Sequence, residues 1–92
     1  MASDSAFKLK VATPDEVFYE GDVVSIVAPA ALGFVGILKN HAPYVTTVQS
    51  GDMTVREDGG QTKQFHVEGG FLEVQKNRVL VLTDKVSPVA VA

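Results

Sequence analysis

The sequence contains no cysteine and no tryptophan. Without cysteine there is no disulfide, no thiol catalysis and no Cys-based zinc site, so the fold must rest on packing alone. Basic residues are scarce, with 8 Lys and Arg against 11 Asp and Glu for a net charge of −3. That balance disfavours a general nucleic-acid binder, which carries a basic stripe. The two histidines, His41 and His66, are spaced neither as His-x-His nor as His-x-x-x-His, so no metal site is expected. Long apolar runs are missing as well. The sixteen residues from Val23 to Leu38 lack charge but are broken by Pro29, Gly33 and Gly36, and a membrane helix needs about 20. Met1 to Ser5 has no basic leader character, so no targeting segment is read and a soluble chain is expected. No twelve-residue window repeats apolar residues at i, i+3, i+4 and i+7, which predicts no substantial helix.

What remains is a 92-residue chain with 46 % hydrophobic and 21 % charged residues, the composition of one small globular domain. Such a chain buries only about 60–65 % of its unfolded surface, leaving little interior for a deep catalytic pocket. Turn signals recur at Pro14-Asp15, Glu20-Gly21-Asp22, Pro29, Gly33, Asn40, Ser50-Gly51-Asp52, Asp58-Gly59-Gly60, Glu68-Gly69-Gly70 and Lys76-Asn77. This is the rhythm of an all-β antiparallel sandwich or barrel with about ten short strands. The strands expected are Phe7–Ala12, Val17–Tyr19, Val23–Ala28, Phe34–Leu38, Tyr44–Val48, Met53–Glu57, Gln61–Val67, Phe71–Gln75 and Arg78–Thr83. The Asp58-Gly59 pair is expected to supply the positive φ angles of a tight hairpin turn. Residues 1–84 read as the domain, and 85–92 as a short flexible C-terminal tail.

Catalytic patterns are missing. No Gly-x-Ser-x-Gly elbow is present, and the carboxylates are scattered singly on turns and polar strand faces. Gly33-Phe34-Val35-Gly36 lacks the Gly-Lys-Ser/Thr ending of a phosphate loop. We therefore expect a non-enzyme without cofactor. His66 reads as a solvent-facing strand residue, and His41 as part of a turn or an interface. Two features are unusual for a self-sufficient sandwich. Val79-Leu80-Val81-Leu82 is apolar on both strand faces, its outer face covered either within the domain or by another subunit. Ala30-Ala31-Leu32-Gly33-Phe34 is an apolar connection, folded back onto the core or facing a partner.

Four stretches carry a family resemblance: Val11-Ala12-Thr13-Pro14 with Val17-Phe18-Tyr19-Glu20-Gly21; Gly33 through Pro43; Ser50-Gly51; and Gly69 through Asp84. Together they resemble the N-terminal domain of the epsilon subunit of bacterial and chloroplast F-type ATP synthases. The resemblance runs in unbroken order over residues 7 to 84. It implies a flattened sandwich of two antiparallel sheets. It also implies a place in the central stalk at the foot of the gamma subunit and against the membrane c-ring, coupling proton flow to ATP synthesis without chemistry of its own. The loop facing the c-ring in the family matches Leu32, Gly33 and Phe34. Family members often carry carboxylates where this chain has Leu32 and Phe34, so an apolar contact replaces a charged one. The gamma-facing corner matches His41, Ala42 and Pro43, with Thr13 and Thr46 as neighbours. The implied location is peripheral, on the cytoplasmic face of a bacterial plasma membrane, with the stromal side of a chloroplast thylakoid as the alternative. Family members commonly continue into a C-terminal helical hairpin that in some binds ATP. This sequence stops at Ala92 with little helix-start character, so we expect a natural terminus and no bound ATP in this chain.

Two other readings compete. A free-standing module for a peptide or carbohydrate could use an open sheet edge, although carbohydrate modules usually display aromatic platforms and tryptophan is absent. A single-strand nucleic-acid barrel would need a face of basic and aromatic residues, whereas the basic residues here are dispersed.

Overall fold

The structure is a computed structural model that describes residues 3–90. Among these residues there are nine strands and no helix: β1 (Phe7–Ala12), β2 (Val17–Ala30), β3 (Gly33–Ile37), β4 (Tyr44–Thr47), β5 (Gly51–Glu57), β6 (Thr62–Glu68), β7 (Phe71–Gln75), β8 (Arg78–Leu82) and β9 (Lys85–Val89). The strands form one hydrogen-bonded path, β4-β7-β8-β1-β2-β5-β6-β9, with β3 attached to β2.

The all-β expectation holds, with three corrections. The first concerns Glu20-Gly21-Asp22, which is not a turn. It lies inside the 14-residue β2, where Gly21 pairs with Leu9 and Asp22 with Lys8. The ladder to β1 outweighs the local turn preference, and Lys8 Nζ reinforces it at 2.6 Å from Asp22 Oδ1. The second concerns strand direction. Every ladder among the described residues is antiparallel except β1–β8, which runs parallel in the register Leu9↔Val79 and Val11↔Val81. The third concerns the expected tail. Lys85–Val89 is β9, paired with β6 from Glu68↔Lys85 to Gln64↔Val89. Val86 packs against the core there, which a composition-based reading of a charge-poor end does not register. Residues 91–92 of that segment lie outside the described residues.

The length of β2 makes the sandwich. Val17 to Val23 pairs with β1. A bulge between Val23 and Ser25 then shifts the register toward β5, and Ile26 to Ala30 pairs with β3. A bulge bends its strand and increases twist, so the single path folds over on itself into two layers. Alternation fills the space between them. Phe7, Leu9 and Val11 of β1 point inward while Lys8 and Lys10 face out. They meet Ile26, Ile37, Met53, Val55, Phe65 and Val67 from one layer and Leu72, Val74, Val79 and Val81 from the other. The buried polar Thr83 is fully used. Its hydroxyl accepts from the Glu68 N–H at 3.3 Å and lies 3.1 Å from the Lys85 carbonyl oxygen.

Turn chemistry sets the registers. Lys76 and Asn77, at φ 49° and 60°, form the tight β7–β8 hairpin, as the mirror-image turns of hairpins require. In the β5–β6 hairpin the positive φ falls on Gly60, at 96°, and not on Asp58-Gly59. The Gly60 N–H donates to the Glu57 carbonyl at 2.9 Å, so the turn spans residues 57–60 and β6 begins just beyond it at Thr62. Gly70 admits no other residue. Its φ is 104°, and a Cβ there would collide with the Leu82 carbonyl oxygen and lie 2.7 Å from Thr83 Cα.

Candidate functional site

Charge is distributed very unevenly. Lys39 is the only Lys, Arg, Asp or Glu between Val23 and Gly51. The first part of this stretch, Val23 to Ala30 of β2, runs through the interior of the sheet, and the rest lies along one margin of the sandwich, formed by β3, β4 and the corner 38–43 that joins them. Among the described residues, the exposed large apolar ones are Val17, Val27, Leu32, Phe34, Leu38, Tyr44, Val45 and Phe71. All but Val17 lie on this margin or on the strand beside it. Val27 pairs across from Gly36 of β3, and Phe71 across from Thr47 of β4. Contiguous exposed apolar surface on a small protein marks an interaction site.

At one end of the margin, Ala31 and Leu32 form a two-residue turn closed by the Ala30↔Gly33 pair. Gly33 has φ 118°, which allows so tight a reversal. Leu32 is 103 % exposed and Phe34 is 68 % exposed on the outer face of β3, so this connection does not fold back onto the core. Gly36 and Leu38 continue the same outward row, while Val35 and Ile37 turn inward.

The corner at the other end is held by two asparagines. Asn40 has φ 65°. Its N–H donates to Asn77 Oδ1 at 2.7 Å, and Asn77 Nδ2 donates back to Asn40 Oδ1 at 3.2 Å. The Lys39 ammonium donates to the Asp4 carbonyl. His41 Nδ1 lies 2.7 Å from the Ala42 carbonyl oxygen, which assigns the proton to Nδ1. The ring stands 5.8 Å from that of Tyr44, and Ala42 and Pro43 are exposed. Asn77 is not among the residues read from sequence as gamma-facing, and only its Gly-like φ preference hints at a turn.

The predicted residues divide by position. Leu32, Gly33 and Phe34 lie at the tip, and His41, Ala42 and Pro43 at the corner, separated by the length of β3, about 17 Å at 3.3 Å per residue. Thr46 is on β4 between them, pairing with Leu72, and its hydroxyl donates to the Thr47 carbonyl at 3.1 Å. Thr13 does not join the corner. It opens the β1–β2 turn, where its hydroxyl accepts from the N–H groups of Asp15 and Glu16, each at 3.3 Å. The pairings Ala12↔Leu82, Leu82↔Phe71 and Phe71↔Thr47 put that turn at the end of the sheet away from Tyr44.

The rest of the chain carries all the charged residues but Lys39. His66 faces solvent between Asp52, 2.9 Å away, and Glu68, 4.0 Å away. Leu80 and Leu82 are half-buried on the outer face of β8 while Val79 and Val81 are buried, so the apolar run serves the core on one side only. A shallow groove of about 560 Å³ over that face is lined by Lys8, Lys10, Glu20, Glu73, Arg78 and Leu80. Its charges of both signs converge on no reactive group.

The sequence profile of the ATP synthase delta/epsilon chain β-sandwich domain matches residues 6–89. The ATP synthase epsilon chain of Chlorobium limicola is 40 % identical over 86 residues, covering 94 % of this chain and 98 % of that one. The epsilon chain of Leptospira borgpetersenii is 47 % identical over 81 residues, and that of Dichelobacter nodosus 37 % over 84. This chain spans 63 % and 59 % of their lengths. Among solved structures, a chain of the Euglena gracilis mitochondrial ATP synthase (OSCP/F1/c-ring) superposes with a TM-score of 0.86 at 24 % identity, over 96 % of this chain and 60 % of that one. A chain of the Tetrahymena thermophila mitochondrial ATP synthase central stalk and c-ring gives 0.74 at 15 %, over 87 % and 64 %. These two likenesses bear on the fold. With the profile spanning all nine described strands, the chain belongs to the family of ATP synthase delta/epsilon chain β-sandwich domains.

Proposed function

We propose that this chain is a non-catalytic subunit of the central stalk of a proton-translocating F-type ATP synthase. It links the gamma subunit to the c-ring and so couples proton flow to ATP synthesis. The observation that carries the reading is the uncharged margin, whose apolar side chains lie outside the domain's own core. Leu32, Gly33 and Phe34 form the c-ring-facing tip, and His41, Ala42 and Pro43, with Thr46 alongside, form the gamma-facing corner. Thr13 stands apart from that corner and would meet gamma only if the contact runs the length of β4. A rotor part needs stiffness more than chemistry, and a continuous ladder around one packed core supplies it. The complex would sit on the cytoplasmic face of a bacterial plasma membrane, with this chain peripheral to the bilayer and holding no ATP.

Because the chain has no cysteine, single-cysteine variants make a clean test. In an assembled synthase, Leu32→Cys should cross-link to a c subunit and Ala42→Cys to gamma. Cross-links of both variants to one partner, or of neither to any, would contradict the assignment.

A further inference from the structure

We infer that the free chain pairs with a second copy of itself through the open edge of β3, in an antiparallel register centred on Val35. The inference concerns the unassembled chain and does not rest on the stalk reading above.

Open edges among the described residues include β9, β4, the Val17–Asp22 stretch of β2 on its side away from β1, and β3 on its side away from β2. The first three are blunted in the ways that protect sheet edges. β9 opens with Lys85 and carries Pro88, and β4 has only four residues and follows Pro43. The β2 stretch carries Glu20 and Asp22, and the Asp22 carbonyl already accepts the Asp58 N–H at 3.1 Å. β3 has no such protection. Gly33-Phe34-Val35-Gly36-Ile37 contains neither charge nor proline, and an unprotected edge is a template for another strand.

The backbone and the side chains of β3 both fit a copy of β3. In a two-residue hairpin the closing pair exchanges both backbone hydrogen bonds, and the next residue turns its N–H and C=O away. Ala30↔Gly33 is that closing pair, so Phe34 and Gly36 offer their backbone groups to the open side. A two-fold axis at Val35 sets Phe34 opposite Gly36 of the second copy, and Gly36 opposite its Phe34, so all four sets of outward groups are satisfied. The same register sets Leu32 opposite Leu38. Leu32, Phe34 and Leu38 are 103 %, 68 % and 64 % exposed, and each gains an apolar or empty neighbour in the pair. Gly36 supplies the empty one. A Cβ there would meet nothing within 4 Å and its φ lies outside the left-handed range, so the fold itself does not require glycine. Glycine in a strand often marks a close approach by other groups, here the Phe34 ring of the second copy. No like charges meet across the axis, because the nearest charged residue, Lys39, falls opposite Ala31. The pair covers the apolar tip, so it must separate before Leu32 and Phe34 can make any other contact.

Sedimentation of the purified chain over a concentration series tests the pairing. The expected dissociation constant is on the order of 10–100 µM, the weak range that suits so short an interface. A chain that remains monomeric at about 500 µM overturns the inference. Single cysteines then test the register, since the wild-type chain has none. Val35 faces itself in a pair that shares no hydrogen bond, with Cα atoms about 4.5 Å apart, so Val35→Cys should oxidise to a disulfide-linked dimer. Phe34→Cys should not, because its two copies are diagonal neighbours about 7–8 Å apart. Gly36→Lys should leave the melting temperature of the dilute monomer within a few degrees of wild type. It should also weaken pairing by about tenfold or more, through ammonium groups desolvated against Phe34. A dimer that survives Gly36→Lys with wild-type affinity, or one whose Val35→Cys variant does not cross-link, lies on another surface and overturns the inference.

Discussion

Tyr19 shows how one polar residue can be built into the margin of an apolar core. Its ring lies 5.2 Å from that of Phe65, and its hydroxyl donates to Glu57 Oε2 at 2.5 Å. Lys63 Nζ stands 3.1 Å from the same oxygen and 5.5 Å from the Tyr19 ring centroid. Burial, then the bond to Glu57, pushes the Tyr19 hydroxyl far above the ordinary phenol range. The Tyr19 hydroxyl, with help from Lys63, holds the Glu57 carboxyl below its ordinary value. A lowered carboxylate stabilises the fold above its unfolded pKa, about 4.3 for glutamate, and that contribution is lost as pH falls through the native value. A raised phenol does the opposite, stabilising below about pH 10 and losing the contribution as pH rises further. Melting temperature against pH should therefore show a plateau between these limits. In Tyr19→Phe both limbs should flatten, and an unchanged acid limb would contradict the role given to the hydroxyl. Gly70→Ala addresses packing rather than charge. With backbone in the way and φ at 104°, it should cost about 3 kcal/mol or more, read as a lowered urea midpoint.

At the level of elements, the sequence was most legible where one local rule acted alone. Phe7–Ala12 and Phe71–Gln75 match their strands to the residue, because strict alternation or a short apolar run sat between clear turns. It was least legible where a distant strand overrode a local signal. Glu20-Gly21-Asp22 carries turn residues, yet β1 pairs along its whole length. Lys85–Val89 carries few strand signals, yet the open edge of β6 recruits it. The candidate site was legible in part. The apolar tip was visible as an uncharged connection, while the exposure of Val27, Val45 and Phe71 depends on which faces the fold covers. Removing residues 85–92 tests the role of β9. It strips Val86 from the core and unpairs β6, so stability should fall by about 2 kcal/mol or more in urea titration. A midpoint equal to that of the full chain would restore the reading of this segment as a tail.

For the whole molecule, the division of charge is what connects fold to function. Two layers share one core, and the uncharged margin at their open side places Leu32 and Phe34 outside it. Phe34→Asp measures that division most directly. Phe34 is 68 % exposed, so the free variant should melt within a few degrees of wild type, as surface changes of about 0.5 kcal/mol do. In a reconstituted synthase the same variant should weaken assembly by about 1–3 kcal/mol, through lost apolar contact and a desolvated carboxylate, and lower proton-driven ATP synthesis accordingly. A free chain that melts far below wild type would place Phe34 in the domain's own core and contradict the interface. A variant that melts normally and still supports full proton-driven synthesis would contradict it just as directly.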